Sequence, residues 1–135
     1  MPLRIELGPR DIEAGQCVAV RRDNFEKSTV SLAELERSVP EKLAAVQRGL
    51  FDKAKRNLDE NTFTARTLEE AKALQDEHGG FIKTMWCGSL ECELEMKEKA
   101  GMSSRCIPAV QEKLGETCAC CGKPAEKMVY WGIAY

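Results

Sequence analysis

Apolar and polar residues alternate at the start of the chain: Leu3, Ile5 and Leu7 are set against Arg4 and Glu6. This period-two pattern predicts a half-buried strand over Leu3–Leu7. Gly8 and Pro9 interrupt it, a helical turn fits the residues up to Gly15, and Cys17–Arg22 reads as a second strand. Two strands and a turn do not make a stable sheet, so this opening is expected to be the end of a domain whose other strands lie elsewhere. Asp23–Thr29 is polar and predicts a loop, and Ser31–Arg37 a short helix. Ser38 and Glu41 stand at capping-box spacing with Pro40 in the first turn. Leu43, Val46, Leu50, Ala54 and Leu58 then follow at three- and four-residue intervals, which predicts an amphipathic helix ending near Asn61. Its polar face carries Lys42, Arg48, Lys53, Lys55 and Arg56. Mixed charge of this kind reads first as a solvated face, with an RNA-facing surface as the alternative.

From Phe63 onward, short strands and helices alternate. Thr67–Glu70 repeats the capping-box spacing, and Gly79-Gly80 closes the helix it opens. Phe81–Trp86 predicts a strand, Cys92–Ala100 a helix stopped by Gly101, Arg105–Ile107 a short strand ended by Pro108, and Lys127–Ala134 a final strand. The expected fold class is α+β. A partial α/β segment spans residues 1–37, a linking amphipathic helix 38–61, and a small α+β domain 62–135.

With 135 residues, 43% of them apolar, the chain can bury a core, though a small one that is marginal without a staple. A formal net charge of −2 argues against a protein dedicated to coating nucleic acid. No window approaches the length of apolar sequence needed to cross a membrane, and the first residues do not resemble a secretion signal. Seven cysteines, an odd number, argue against a closed disulfide framework. A reducing, cytoplasmic location and a bound metal account for them better.

Two of the cysteine clusters carry chemistry. Cys87 and Cys92 are separated by four residues, and Cys118-Ala119-Cys120-Cys121-Gly122 contains Cys-x-x-Cys-Gly. Thiolates three apart on a tight turn can share one ion, and the following glycine permits the left-handed backbone of such a turn. Two pairs supply four soft ligands, the set preferred by structural zinc: Cys87, Cys92, Cys118 and Cys121. Cys120 leaves an ambiguity. A Cys118/Cys120 pairing is conceivable, and Cys121 is preferred because Gly122 follows it. Separate buried cysteines and a redox pair are the competing readings. Cys17 and Cys106 lie in predicted strands and are expected in the core. Four thiolates leave no open position for water, so such a site would be structural. His78, the only histidine, ends a predicted helix where a cation is favoured. No nucleophile with a matched base and no phosphate-binding glycine loop is present, so no catalytic residue is assigned.

Taken together, several stretches resemble the C-terminal region of the prolyl-tRNA synthetase family of the archaeal and eukaryotic-like type. Pro2–Asp11 and Val18–Asp23 resemble the last strands of its anticodon-binding domain, and Gln47–Ala54 the helix that follows. Gly79-Gly80-Phe81, Trp86–Ser89, Cys92, Arg105–Pro108, Cys121–Ala125 and Ile133–Tyr135 resemble its C-terminal zinc domain. The resemblance implies a class II ligase that joins proline to its tRNA using ATP, a homodimer when complete, with this portion inactive alone and its catalytic domain elsewhere. It implies zinc ligands at Cys87, Cys92, Cys118 and Cys121, and a C-terminal carboxylate at Tyr135 directed toward the catalytic domain. Arg10, Arg21 and Arg22 are the candidate RNA-phosphate contacts. The alternative is a stand-alone zinc-bearing interaction module docking through Tyr130 and Trp131.

Overall fold

The computed structural model describes residues 1–134, so Tyr135 and the role expected of its carboxylate lie outside the described residues. The chain forms two compact units, Met1–Arg56 and Asn57–Tyr135.

In the first unit, β1 (Leu3–Glu6), β2 (Gln16–Arg21) and β3 (Lys27–Ser31) form an antiparallel sheet in the order β1-β2-β3, with α1 (Pro9–Glu13) between β1 and β2. The third strand corrects the expected loop over Asp23–Thr29. Its composition, Lys-Ser-Thr-Val-Ser, conceals it because only Val30 is buried, against Cys17 and Ala19 of the central strand. The apolar face expected on β1 is also only partly covered. Leu3 packs on this cluster, while Ile5 and Leu7 stand 41% and 53% exposed.

A 3₁₀ turn at Leu32–Glu34 runs directly into α2 (Leu35–Glu60), so the predicted short helix and the long one are continuous and Ser38 is not a cap. Pro40 is accommodated inside the helix, where it removes one backbone hydrogen bond. Leu32 and Leu35 pack onto Cys17, Ala19 and Val30, and this burial holds the turns ahead of the proline in place. Of the predicted apolar stripe, Val46 is buried, whereas Leu43, Leu50 and Leu58 are 38%, 44% and 49% exposed. The helix has the period of an amphipathic element without a surface covering most of its apolar side.

The second unit is built on a four-stranded mixed sheet in the order β4-β5-β7-β6: β4 (Thr62–Thr64), β5 (Phe81–Trp86), β7 (Lys127–Gly132) and β6 (Ser103–Cys106). β4 runs parallel to β5, and the other pairs are antiparallel. Helices α3 (Leu68–His78) and α4 (Leu90–Ala100) connect the strands. Leu68 and Ala71 from α3 and Met96 and Ala100 from α4 close over Ile82, Val129 and Trp131 to form the core. The α3 start signal works as expected in one half: the Thr67 side chain accepts the Glu70 N–H at 3.1 Å. Glu70, however, accepts from the N–H of Arg66 rather than that of Thr67. His78 ends α3 and stacks on Phe63, ring centroids 4.8 Å apart, which is a packing role.

Where β4 meets β5, Gly80 has a φ of +81°, and a β-carbon there would run into the carbonyl oxygen of Asn61, whose own bond to the Phe81 N–H is 2.8 Å long. Gly80→Ala is therefore expected to cost about 2 kcal/mol or more, combining left-handed strain with displacement of that oxygen. Urea unfolding measures this, and a loss below about 0.5 kcal/mol would mean the strand start shifts freely.

Candidate metal centre and family

One knuckle follows β5. The Trp86 indole N–H donates to the Ser89 carbonyl at 3.1 Å and closes the turn that carries Cys87. The Ser89 side chain then accepts the Glu91 N–H and caps α4, which places Cys92 in the first helical turn, where the helix field favours a thiolate. The second knuckle is a small hairpin. The Cys118 N–H donates to the Lys123 carbonyl at 2.8 Å, the Gly122 N–H to the Cys118 carbonyl at 3.0 Å, and Thr117 bridges to Pro124. Gly122 has a φ of +69°, the left-handed position for which glycine was expected. This hairpin is tied to the sheet and to α3 by its own backbone: the Ala119 N–H donates to the Met85 carbonyl and the Ala119 carbonyl accepts the Leu68 N–H, both at 3.0 Å.

These ties bring the sulfurs of Cys87, Cys92, Cys118 and Cys121 within 4.8 Å of one another. Cys87 Sγ lies 3.6 Å from Cys92 Sγ and 3.7 Å from Cys121 Sγ. A disulfide needs about 2.05 Å, and every cysteine among the described residues is a free thiol. Four sulfurs at about 2.3 Å from one ion, placed tetrahedrally, would stand about 3.8 Å apart, and the observed separations fit that spacing.

The electrostatics agree. Burial opposes ionisation of Cys118, but the N–H groups of Cys121, Cys120 and Cys87 aimed at its sulfur bring its pKa down to about 7. Cys92 is pushed well above the ordinary thiol range by burial and by the neighbouring Cys121 and Cys87 thiols. The protein's own groups therefore stabilise one negative charge and resist more, so a cation is what would permit all four thiolates.

Cys120 is excluded from the cluster. It turns away, its thiol donating to the Cys92 carbonyl at 3.4 Å, and burial together with the charge of Cys118 and Glu95 pushes its pKa up to about 12. The chain reverses at this point such that Cys121, not Cys120, meets Cys87. Cys120→Ser is expected to retain the metal stoichiometry of the parent in elemental analysis. Loss of the metal would make Cys120 a ligand. Cys106 corrects another expectation: it is exposed, not in the core, because β6 is an edge strand and its register breaks between Ser104 and Cys106. Cys17 is fully buried.

Residues 68–135, the stretch containing all four thiols, match the family model described as prolyl-tRNA synthetase, C-terminal. The chain belongs to the prolyl-tRNA synthetase C-terminal family. Residues 1–42 match the anticodon binding domain model. The chain is 53% identical over its whole length to proline–tRNA ligase 2 of Bacillus thuringiensis (strain Al Hakam) and 54% identical to proline–tRNA ligase of Ruminiclostridium cellulolyticum. In each case it spans 28% of the relative's length. All of it also superposes on 29% of the crystal structure of prolyl-tRNA synthetase from Cryptosporidium parvum complexed with L-proline and AMP, with a TM-score of 0.89 and 33% identity. The chain thus corresponds to the anticodon-binding and C-terminal part of a prolyl-tRNA synthetase and does not cover the rest of those proteins.

The three arginines singled out for RNA differ within this family fold. Arg21 is committed internally: its Nε and Nη2 donate to the two Asp23 carboxylate oxygens at 3.0 and 2.6 Å, and Nη2 also reaches the Ala45 carbonyl at 3.2 Å. The same bond holds the Asp23 carboxyl below its usual range. Arg10 and Arg22 are exposed. No signal in the sequence distinguished them, because the partner carboxylate lies two residues from Arg21 and one from Arg22. Trp131, proposed as an interaction handle, is 1% exposed and donates its indole N–H to Thr84 Oγ1 at 3.0 Å.

Proposed function

We propose that the chain is the C-terminal part of a class II, archaeal/eukaryotic-like ligase that joins proline to its tRNA using ATP. In this reading, residues 1–37 contribute to the anticodon-binding region, residues 38–61 link, and residues 62–135 form a structural zinc domain that supports the catalytic body. Cys87, Cys92, Cys118 and Cys121 would hold zinc, which supplies a cross-link between the β5 knuckle and the Cys118 hairpin rather than chemistry. The observation that carries the reading is the convergence of four sulfurs, all within 4.8 Å, inside the segment matched by the family model. Arg10 and Arg22 contact RNA phosphate and Arg21 braces the strand end beside them. The complete enzyme acts in the cytoplasm as a homodimer, with Tyr135 directed at its catalytic domain. No helix among the described residues is long and apolar enough to cross a membrane. The rival interaction module has lost its main support, because Trp131 is a core residue.

The test compares this chain with the longer protein containing it. Proline-dependent exchange of pyrophosphate into ATP and proline charging of tRNA are expected from the longer protein and absent from the chain alone. A longer protein that charges no tRNA with proline overturns the proposal.

A further inference from the structure

The turn between β2 and β3 holds an aromatic ring out in solvent. Phe25 is 78% exposed and has a φ of +60°, the one non-glycine residue with positive φ among the described residues. A β-carbon makes that conformation costly, yet the turn is braced on both sides of it. The Arg21 N–H donates to the Glu26 carbonyl and the Glu26 N–H to Asn24 Oδ1, each at 3.0 Å, while Arg21 grips Asp23. Phe25 makes no ring contact and joins no apolar cluster among the described residues. Its ring borders a cleft of about 330 Å³ whose other walls are Met1, Arg4, Val20, Arg21 and Arg22. Arg21 is already paired there and Arg4 carries an exposed pair to Glu6 at 2.6 Å. Arg22 has no ion pair or side-chain hydrogen bond among the described residues. The cleft therefore offers one apolar flat face and one uncompensated cation.

We propose that this turn is a nucleotide-stacking site, in which Phe25 stacks on an unpaired base of single-stranded RNA and Arg22, with Arg4 beside it, receives the adjoining phosphate. The proposal rests on the reading of this chain as an RNA-contacting part of a synthetase. Single-stranded RNA fits better than a protein partner. Every base presents a flat face that an aromatic ring can take, and stacking with a neighbouring cation is how unpaired strands are held. A protein anchor would need the ring or its pocket to be surrounded by apolar surface, and guanidinium groups line this cleft instead. A base-paired strand would not expose the face.

The test uses the whole 135-residue chain and fluorescence anisotropy with a labelled single-stranded RNA of about ten nucleotides, its duplex, and a proline tRNA transcript. The parent is expected to prefer the single strand to the duplex. Phe25→Gly is expected to weaken single-strand binding about tenfold or more while raising the midpoint of thermal unfolding, because glycine relieves the left-handed backbone. Phe25→Tyr is expected to keep the affinity, and Arg22→Gln to reduce the salt dependence by about 0.7 in the log–log slope. Opposite movement of stability and affinity in Phe25→Gly separates a binding role from a structural one. Parent-like affinity in Phe25→Gly overturns the stacking site and leaves the synthetase reading standing. A parent that binds neither the single strand nor the tRNA transcript overturns the RNA-contacting reading itself.

Discussion

Cys87→Ser and Cys121→Ser are each expected to lose one zinc per chain, together with the cooperative unfolding of the second unit. The size of the effect follows from comparing two energies. Structural zinc binding to thiolates contributes on the order of 10–16 kcal/mol in small domains, whereas a domain's net stability is about 5–15 kcal/mol. A unit of this size that loses the ion therefore loses most or all of its margin. The structure locates the reason. Outside the sheet, the Cys118 hairpin is held by a few backbone bonds, chiefly those to Met85 and Leu68, and its Cys121 is exposed. Without a shared ion, the buried thiols leave one stabilised negative charge at Cys118 and a group of sulfurs that resist joining it. Elemental analysis of protein purified without added metal gives the stoichiometry, and circular dichroism during heating gives the cooperativity. Zinc retained in both variants, with unchanged unfolding, would show that the sulfurs do not hold it.

Trp131→Ala is expected to destabilise the second unit by about 3–5 kcal/mol. Two losses combine. The indole is 1% exposed on the central strand β7 and packs within the cluster of Ile82, Met96, Met102 and Val129, so its removal leaves a cavity that the sheet cannot close. It also leaves Thr84, itself fully buried, with only a long 3.4 Å bond to the Met85 carbonyl for its hydroxyl group. Trp131→Phe retains most of the volume and loses the hydrogen bond, and should cost about 1–3 kcal/mol. Urea unfolding of metal-loaded protein distinguishes the two variants. A loss of less than about 1 kcal/mol for Trp131→Ala would mean that the site collapses around the smaller side chain.

The sequence by itself determined the local features of the second unit. Thr67 and Gly79 bound α3, Gly101 ends α4, and the apolar run Phe81–Trp86 is β5, because caps, left-handed glycines and periodicity act over a few residues. Thiol spacing likewise picked out the set that converges in space, and the glycine after Cys121 distinguished it from Cys120, because that glycine permits the turn. The family was legible in the order of these motifs along the chain.

Tertiary structure decided what depends on distant partners. β3 is polar on all but one of its buried contacts and exists as a strand only because β2 supplies its hydrogen bonds. The start of α2 is set by Leu32 and Leu35 meeting the β2 core, a contact strong enough to accommodate Pro40 within the helix. Cys106 is exposed because β6 lies at the sheet edge, and Arg21 is an internal brace because β2 ends beside Asp23 and the Ala45 carbonyl. Periodicity states which residues can share a face. Whether that face is covered, and which donors remain for a ligand, depends on groups brought close only by folding.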